Sequence, residues 1–221
     1  MALPHRPLEI AVYQDVFCAW CYLADARLEP LRLELGEAVR WSWRPYALRI
    51  PDSALSERER AAWSAEILRA KREPDGSRLT DALWTGADAP RSSVLPLMAL
   101  EAARLQGKDA FHAFMGAVRR AALEQAVNVA RPDVLFEIAG ALRLDMNRFS
   151  AAFRSPETRR LVVEEYRIAA DRGIPGAPAV VIGNRWMICG LREASEYRTL
   201  VLECLNKRLA SRRRAAEQLL H

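Results

Sequence analysis

Strand-forming sequence occurs only near the two ends of this chain, and that placement limits the fold more than any other feature. Leu8-Glu-Ile-Ala-Val-Tyr13 is short, apolar and β-branched, and it reads as a buried strand. Val39-Arg-Trp-Ser-Trp-Arg44 alternates apolar and polar residues as a half-buried strand does, and Pro45 ends it. From about Ser53 to Asp171 no convincing strand signal occurs. Two short apolar runs then return, Pro178–Ile182 and Arg185–Ile188, joined by Gly183-Asn184. They read as a hairpin with a type II′ turn. The order is β-α-β, an all-helical block, then α-β-β-α. The first part is the start of a right-handed βαβ unit. The two ends are therefore expected to be halves of one sheet, residues 1–52 and 160–221, around an inserted helical domain over 53–159.

The helices carry their own punctuation. Leu28, Leu31 and Leu35 recur at helical spacing within Leu23–Leu35, and Gly36 is a stop. Ser56 to Arg72 is charged and helical in composition, whereas Asp75 to Pro90 is loop-like. Leu97, Leu100 and Leu105 lie on a helix stopped by Gly107. Phe111, Phe114, Met115 and Val118 form an apolar stripe after an Asp109 cap. Pro132 opens a short helix with Val134, Leu135, Ile138 and Leu142. Ser155-Pro156 caps and opens another that runs to Gly173. A last helix covers roughly Glu193 to Leu220.

The chain has 221 residues, enough to bury a core without disulfide staples, and a net charge of +5 that does not by itself imply nucleic acid. Arg212-Arg-Arg214 reads as a solvated face of the last helix, because nucleic-acid binding calls for a wider basic surface. No apolar run approaches the roughly 20 residues of a membrane span. The N-terminus lacks the pattern of a secretory signal. The expected location is cytoplasmic, with neither a membrane nor a nucleic acid as partner. In that compartment four cysteines point to a metal site or a redox pair rather than a structural framework.

Cys18-Ala-Trp-Cys21 stands between the first strand and the first helix. Residues three apart share a helical face, so the two sulfurs can reach bonding distance. The first turn of a helix offers unpaired N–H groups and the positive end of the dipole, both of which favour a thiolate. Cys18 at the turn is then the nucleophile and Cys21, one turn inside, the resolving thiol. Zinc would need about four ligands, with a second close pair. Cys189 and Cys204 are far apart in sequence, and His5, His112 and His221 show no ligand spacing, so no metal is expected.

The second signal is distant. Gly173-Ile-Pro-Gly-Ala-Pro178 leads straight into Ala179-Val-Val-Ile182, and a proline just before a strand spoils no ladder bond. With strand, Cys-x-x-Cys, helix, strand at the start and Gly-Ala-Pro before the closing hairpin, the chain resembles the thioredoxin superfamily. The helical insertion makes it similar to the DsbA-like branch, and Asp15 ahead of Cys18-Ala-Trp-Cys21 resembles the FrnE-like dithiol oxidoreductases. The resemblance implies an α/β thioredoxin-like fold with an all-helical insertion. It implies a thiol-disulfide oxidoreductase acting on protein or small-molecule thiols and disulfides. It needs no bound cofactor, with an external thiol such as glutathione as the source of reducing equivalents. It also implies that Pro178 is cis beside the cysteine pair and that the backbone at Ala177 pairs with substrate.

Two positions depart from that family's pattern. Ala19 replaces a frequent proline, and Ala177 a larger, usually β-branched residue. Asp15 reads either as a loop cap or as a modulator of Cys18, and Trp20 either as a substrate contact or as packing. Tyr13 reads as core, His112 as a helix-face residue, and Cys189 and Cys204 either as ordinary core or helix cysteines or as a second redox pair or relay from Cys21. Two other functions fit the same fold: a glutathione-dependent isomerase or transferase of the kappa-class-like branch, and a non-catalytic thioredoxin-fold binding protein. The first typically carries serine at the position of Cys18 and lacks the pair. Oligomeric state is not legible.

Overall fold

A computed structural model describes residues 7–218, with side chains through Ser211. Strand β1 (Leu8–Gln14) leads into helix α1 (Ala19–Leu35), and a short turn of 3-10 helix connects this to β2 (Val39–Pro45). Helices α2 (Glu57–Ala70), α3 (Ala82–Thr85), α4 (Val94–Arg104), α5 (Lys108–Leu123), α6 (Pro132–Ala141), α7 (Met146–Phe153) and α8 (Pro156–Asp171) follow. The chain returns to the sheet through β3 (Ala179–Ile182) and β4 (Trp186–Cys189) and leaves in α9 (Ala194–Gln218). The sheet order is β2-β1-β3-β4. β1 runs parallel to β2 and antiparallel to β3, and β3 is antiparallel to β4. Both ends of the chain thus build one sheet, in which β1 is central. Its Ile10, Val12 and Tyr13 are buried, as a central strand requires. This is the expected α/β architecture with a helical insertion.

One apolar core joins sheet and block. Ile10, Val12 and Trp43 belong to the same packed cluster as Leu97, Phe111, Phe114, Val118 and Phe149. Polar ties reinforce it. Arg104 Nη2 donates to the Trp43 carbonyl of β2 at 2.7 Å, and the Ser93 amide donates to the Arg49 carbonyl at 2.8 Å. The expected stripe Phe111, Phe114, Met115, Val118 on α5 is fully buried.

Several local expectations need correction. α1 begins at Ala19, ahead of Leu23, and continues through Pro30. The cap of α5 is Gly107, not Asp109, which lies in the first turn and so complements the dipole rather than capping. The segment 75–90 is not all loop: it contains α3, whose Trp84 is 1% exposed. α7 gave too short a stripe to stand out, though Asp145 caps it by accepting from the Asn147 and Arg148 amides. Gly183 and Asn184 both have positive φ, +59° and +58°, which is the type I′ pattern, whereas type II′ requires it only at the first position. The boundary at 159/160 falls inside one continuous helix, α8. His5, His221 and the end of the last helix at Leu220 lie outside the described residues. The side chains of Arg212-Arg-Arg214 do also.

Candidate functional site

The site is assembled where β1 stops. The chain turns after Gln14, and Asp15 holds the turn. Its Oδ1 accepts from the Phe17 amide at 2.8 Å, and its Oδ2 accepts from the Leu48 amide at 2.9 Å. One fully buried carboxyl therefore fixes the loop before Cys18 to the segment after β2. Burial pushes its pKa up, against the pull of the Ser93 side chain, of those two amides and of the nearby Arg119 guanidinium. Both amide hydrogen bonds are those of a loop cap.

Cys18 is the N-cap of α1 and Cys21 is its third residue. The Cys18 Sγ accepts from the Cys21 amide at 3.3 Å, so the sulfur takes the place of the oxygen of an ordinary cap. As a thiol it also donates to the Ala177 carbonyl at 3.5 Å. The Ala177–Pro178 peptide is cis. The loop expected from far downstream thus lies against the first cysteine. Both cysteines are buried, at 5% and 2% exposure, and both are free thiols. Cys21 is pushed well above the ordinary thiol range. Burial contributes most, followed by its hydrogen bond to Cys18 and the charge there, with Arg119 opposing.

Trp20, between the two cysteines, is half-buried and packs against the core. Its Nε1 donates to Glu66 Oε2 of α2 at 2.9 Å, which ties the cysteine turn to the inserted block. Trp20 and Ala177 line both of two neighbouring depressions. One is charged, lined by Arg27, Glu73, Arg192, Glu193 and Pro178. Arg27 holds it together through Glu73 at 2.7 Å, Asp75 at 2.9 Å and Glu193 at 3.3 Å. The other is apolar, lies between the turn and α2, and is lined by Cys18, Phe17, Leu48, Trp63 and Ile67.

Sequence reasoning missed Arg119. It reaches from α5 to the floor of the site at 2% exposure, donates to Gln14 Oε1 at 2.6 Å and pairs with Asp25 at 3.4 Å. Asp25 in turn accepts from Trp43 Nε1 at 2.9 Å. An arginine on a helix whose other buried residues are apolar is the available signal, since it must find partners inside. Trp63 and Leu48 were missed as well, because nothing local distinguishes them from packing residues. Tyr13 is core, at 1% exposure, and His112 rests edge-on against Trp43 on the flank of α5. Cys189 faces Ala179 across the β3–β4 ladder. Cys204 lies on α9, where burial raises its pKa. Neither forms a disulfide. Among the described residues no group of three or more His, Cys, Asp or Glu could hold a metal, and no helix is long and apolar enough to cross a membrane.

Among curated proteins the chain is similar to the ClpXP adapter protein SpxH of Bacillus subtilis (strain 168), 26% identical over 186 residues, covering 82% of this chain and 60% of that protein. The SpxH of Shouchella clausii is 29% identical over 193 residues, covering 83% and 60%. The chain thus spans about 60% of the length of these relatives. Among solved structures it superposes on the cytosolic disulfide reductase DsbM from Pseudomonas aeruginosa with GSH. The TM-score is 0.67 at 18% identity, covering 93% of this chain and 100% of that one, a likeness of fold. The family model of the DSBA-like thioredoxin domain matches residues 9–200, from the first strand through the cysteine pair, the inserted block and the closing hairpin, and the chain belongs to that family.

Proposed function

We propose that this chain is a dithiol-disulfide oxidoreductase of the FrnE-like kind, working through Cys18 and Cys21. The observation that carries the reading is the position of the Cys18 sulfur, between the Cys21 amide and the Ala177 carbonyl of the cis-proline loop. A sulfur at this place, at the start of the helix and against the loop, is set to attack a disulfide. Attack forms a mixed disulfide between Cys18 and the substrate and expels the other substrate thiol. Cys21 is held as a thiol partly by its hydrogen bond to Cys18 and the charge there. Formation of the mixed disulfide removes both, so Cys21 becomes easier to ionise when it is needed. It then displaces the substrate and leaves a Cys18–Cys21 disulfide. An external thiol of the glutathione type restores the reduced pair, no resident cofactor takes part, and the protein works in the cytosol.

The test is exchange with insulin or a scrambled disulfide protein in the presence of a thiol reductant. Wild type is expected to turn over and Cys18→Ser to be inactive. Activity retained in Cys18→Ser sinks the nucleophile assignment. Glutathione conjugation or isomerisation without exchange would favour the transferase-like alternative. A second reading, a protein-binding adapter, is favoured by what the SpxH relatives are called. It predicts partner capture that is indifferent to Cys18→Ser.

A further inference from the structure

A separate cavity opens at the end of the sheet away from the cysteine turn. Leu8 of β1 pairs with Val39 of β2 at that end, whereas Gln14 pairs with Pro45 at the other. Seven strand residues at about 3.3 Å each put roughly 20 Å between the two ends. The cavity has a volume of about 1010 Å³ and lies between the start of β2, the end of α1 and the start of α5. Its aromatic floor is locked in place. Trp43 and Phe111 are buried with their ring centroids 6.2 Å apart, and His112 meets Trp43 edge-on at 4.4 Å. Trp41 is half-buried and tilts against Trp43 at 6.3 Å. Leu33 of α1 lines the same cavity and is 70% exposed. Apolar surface of this kind is formed before any ligand arrives and costs little ordering on binding. The floor also holds unused polar capacity. The buried Trp41 Nε1 has no hydrogen-bond partner, and His112 makes no hydrogen bond among the described residues.

The charges around that floor decide what it can hold. Arg32, Arg40, Arg104 and Lys108 line the cavity against a single carboxylate, Glu37. Two of the cations are engaged. Arg32 pairs with Glu29 at 2.5 Å, and Arg104 pairs with Glu101 at 2.8 Å while its guanidinium lies over the Phe111 ring at 3.9 Å. Arg40 reaches Glu9 only at 3.8 Å, with the two side chains 65% and 61% exposed, and a pair so exposed holds weakly. Lys108 and Glu37 form no ion pair among the described residues. The lining is therefore left with two available cations and one carboxylate, an excess of one positive charge. Burial first, and then the Arg32 guanidinium, hold the His112 pKa below its ordinary value; Arg104 adds to this, and Asp25 and Glu29 oppose it. The imidazole is thus neutral at neutral pH and brings no further charge. A cationic ligand would meet Arg40 and Lys108, whereas an anionic one is attracted to both.

We propose that this cavity is a second binding site, taking a small planar aromatic anion whose ring lies against Trp41 and Leu33 and whose anionic group is met by Arg40 and Lys108. Ring and charge each have a fixed counterpart in the wall, and the volume suits a small molecule. The site goes beyond the oxidoreductase reading and does not depend on it, because Cys18 and Cys21 have no part in the cavity.

The experiment titrates the full chain with 2-naphthoate, which carries ring and charge, and follows the imidazole signals by NMR. The chain has three histidines, and His112→Gln identifies the His112 signal. Naphthalene-2-methanol supplies the ring without the charge, and cyclohexanecarboxylate the charge without the planar ring. 2-Naphthoate is expected to shift the His112 signal saturably, and the other two to bind about tenfold more weakly or worse. Bound 2-naphthoate is expected to raise the His112 pKa, because a nearby negative charge favours the imidazolium, and naphthalene-2-methanol to leave it unchanged. Arg40→Glu and Lys108→Glu, both at exposed positions, should each weaken 2-naphthoate about fivefold and leave the alcohol unaffected. Added salt should weaken 2-naphthoate alone, which tests the charge without any substitution. No saturable His112 shift within the solubility of 2-naphthoate overturns the proposal. Equal binding of cyclohexanecarboxylate or of the alcohol also overturns it, as does 2-naphthoate binding indifferent to both charge reversals.

Discussion

Cys21 shows how a single residue links the site to stability. Its thiol ionises at a higher pH folded than unfolded, with burial the largest cause. The native state therefore keeps a proton that the unfolded chain releases once pH passes the ordinary thiol value, about 8.5. Below that value both states hold the proton and the contribution to stability is complete. As pH rises toward the folded value it is lost, with a slope of up to about 1.4 kcal/mol per pH unit. Reduced wild type should lose stability above roughly pH 8.5 more steeply than Cys21→Ala. The Cys204 thiol, also raised by burial, acts equally in both proteins and drops out of the comparison. Denaturant melts from pH 7 to 10 check this, and parallel curves for the two proteins would contradict the burial argument.

At the scale of elements, the contact that positions the site most economically is α5 against β1. Arg119 on α5 donates to Gln14, the last residue of β1, and Gln14 is itself 2% exposed. Arg119→Met should cost about 2 kcal/mol by orphaning the Gln14 oxygen, and Gln14→Leu about as much by taking the acceptor from the buried Nη2 and leaving the guanidinium with Asp25 alone. The double substitution should cost less than the sum, with a coupling of about 1 kcal/mol or more. Additive losses in a denaturation cycle would mean that the bond carries no net weight. This element pair also shows where sequence stops being informative. The Cys-x-x-Cys turn, the Gly-Ala-Pro loop and the apolar stripe of α5 were legible because each follows a local rule of spacing or backbone. Arg119 and Gln14 are 105 positions apart and obey no local rule. Trp63 reads as one apolar residue on a charged helix until the fold stacks it on Trp84. α3 and α7 were missed because four and eight residues carry little periodicity. The α5 cap was misread because Gly107 caps without a side chain.

For the whole molecule the question is whether the inserted helices form a separable unit. The core argues that they do not. Trp43 of β2 packs on Phe111 of α5 at 6.2 Å, and the cluster runs without a break from Ile10 to Phe149. Three polar ties cross the same boundary near the site: Arg119 to Gln14, Trp20 to Glu66 and Arg104 to the Trp43 carbonyl. Unfolding the block alone would expose the apolar face of the sheet and leave the Gln14 oxygen at the end of β1 without its donor, so no partly folded state retains the sheet's stability. Native-state hydrogen exchange should therefore give the slowest amides of α4 and α5 the same opening free energy as those of β1, within about 1 kcal/mol. Both should equal the global value from denaturant, with far-UV circular dichroism and tryptophan fluorescence tracing one transition. Exchange from α4 and α5 at clearly lower free energy than from β1 would mean that the block opens by itself. The apolar cavity beside Cys18, which needs α2 on one side and the cysteine turn on the other, would then open and close with it.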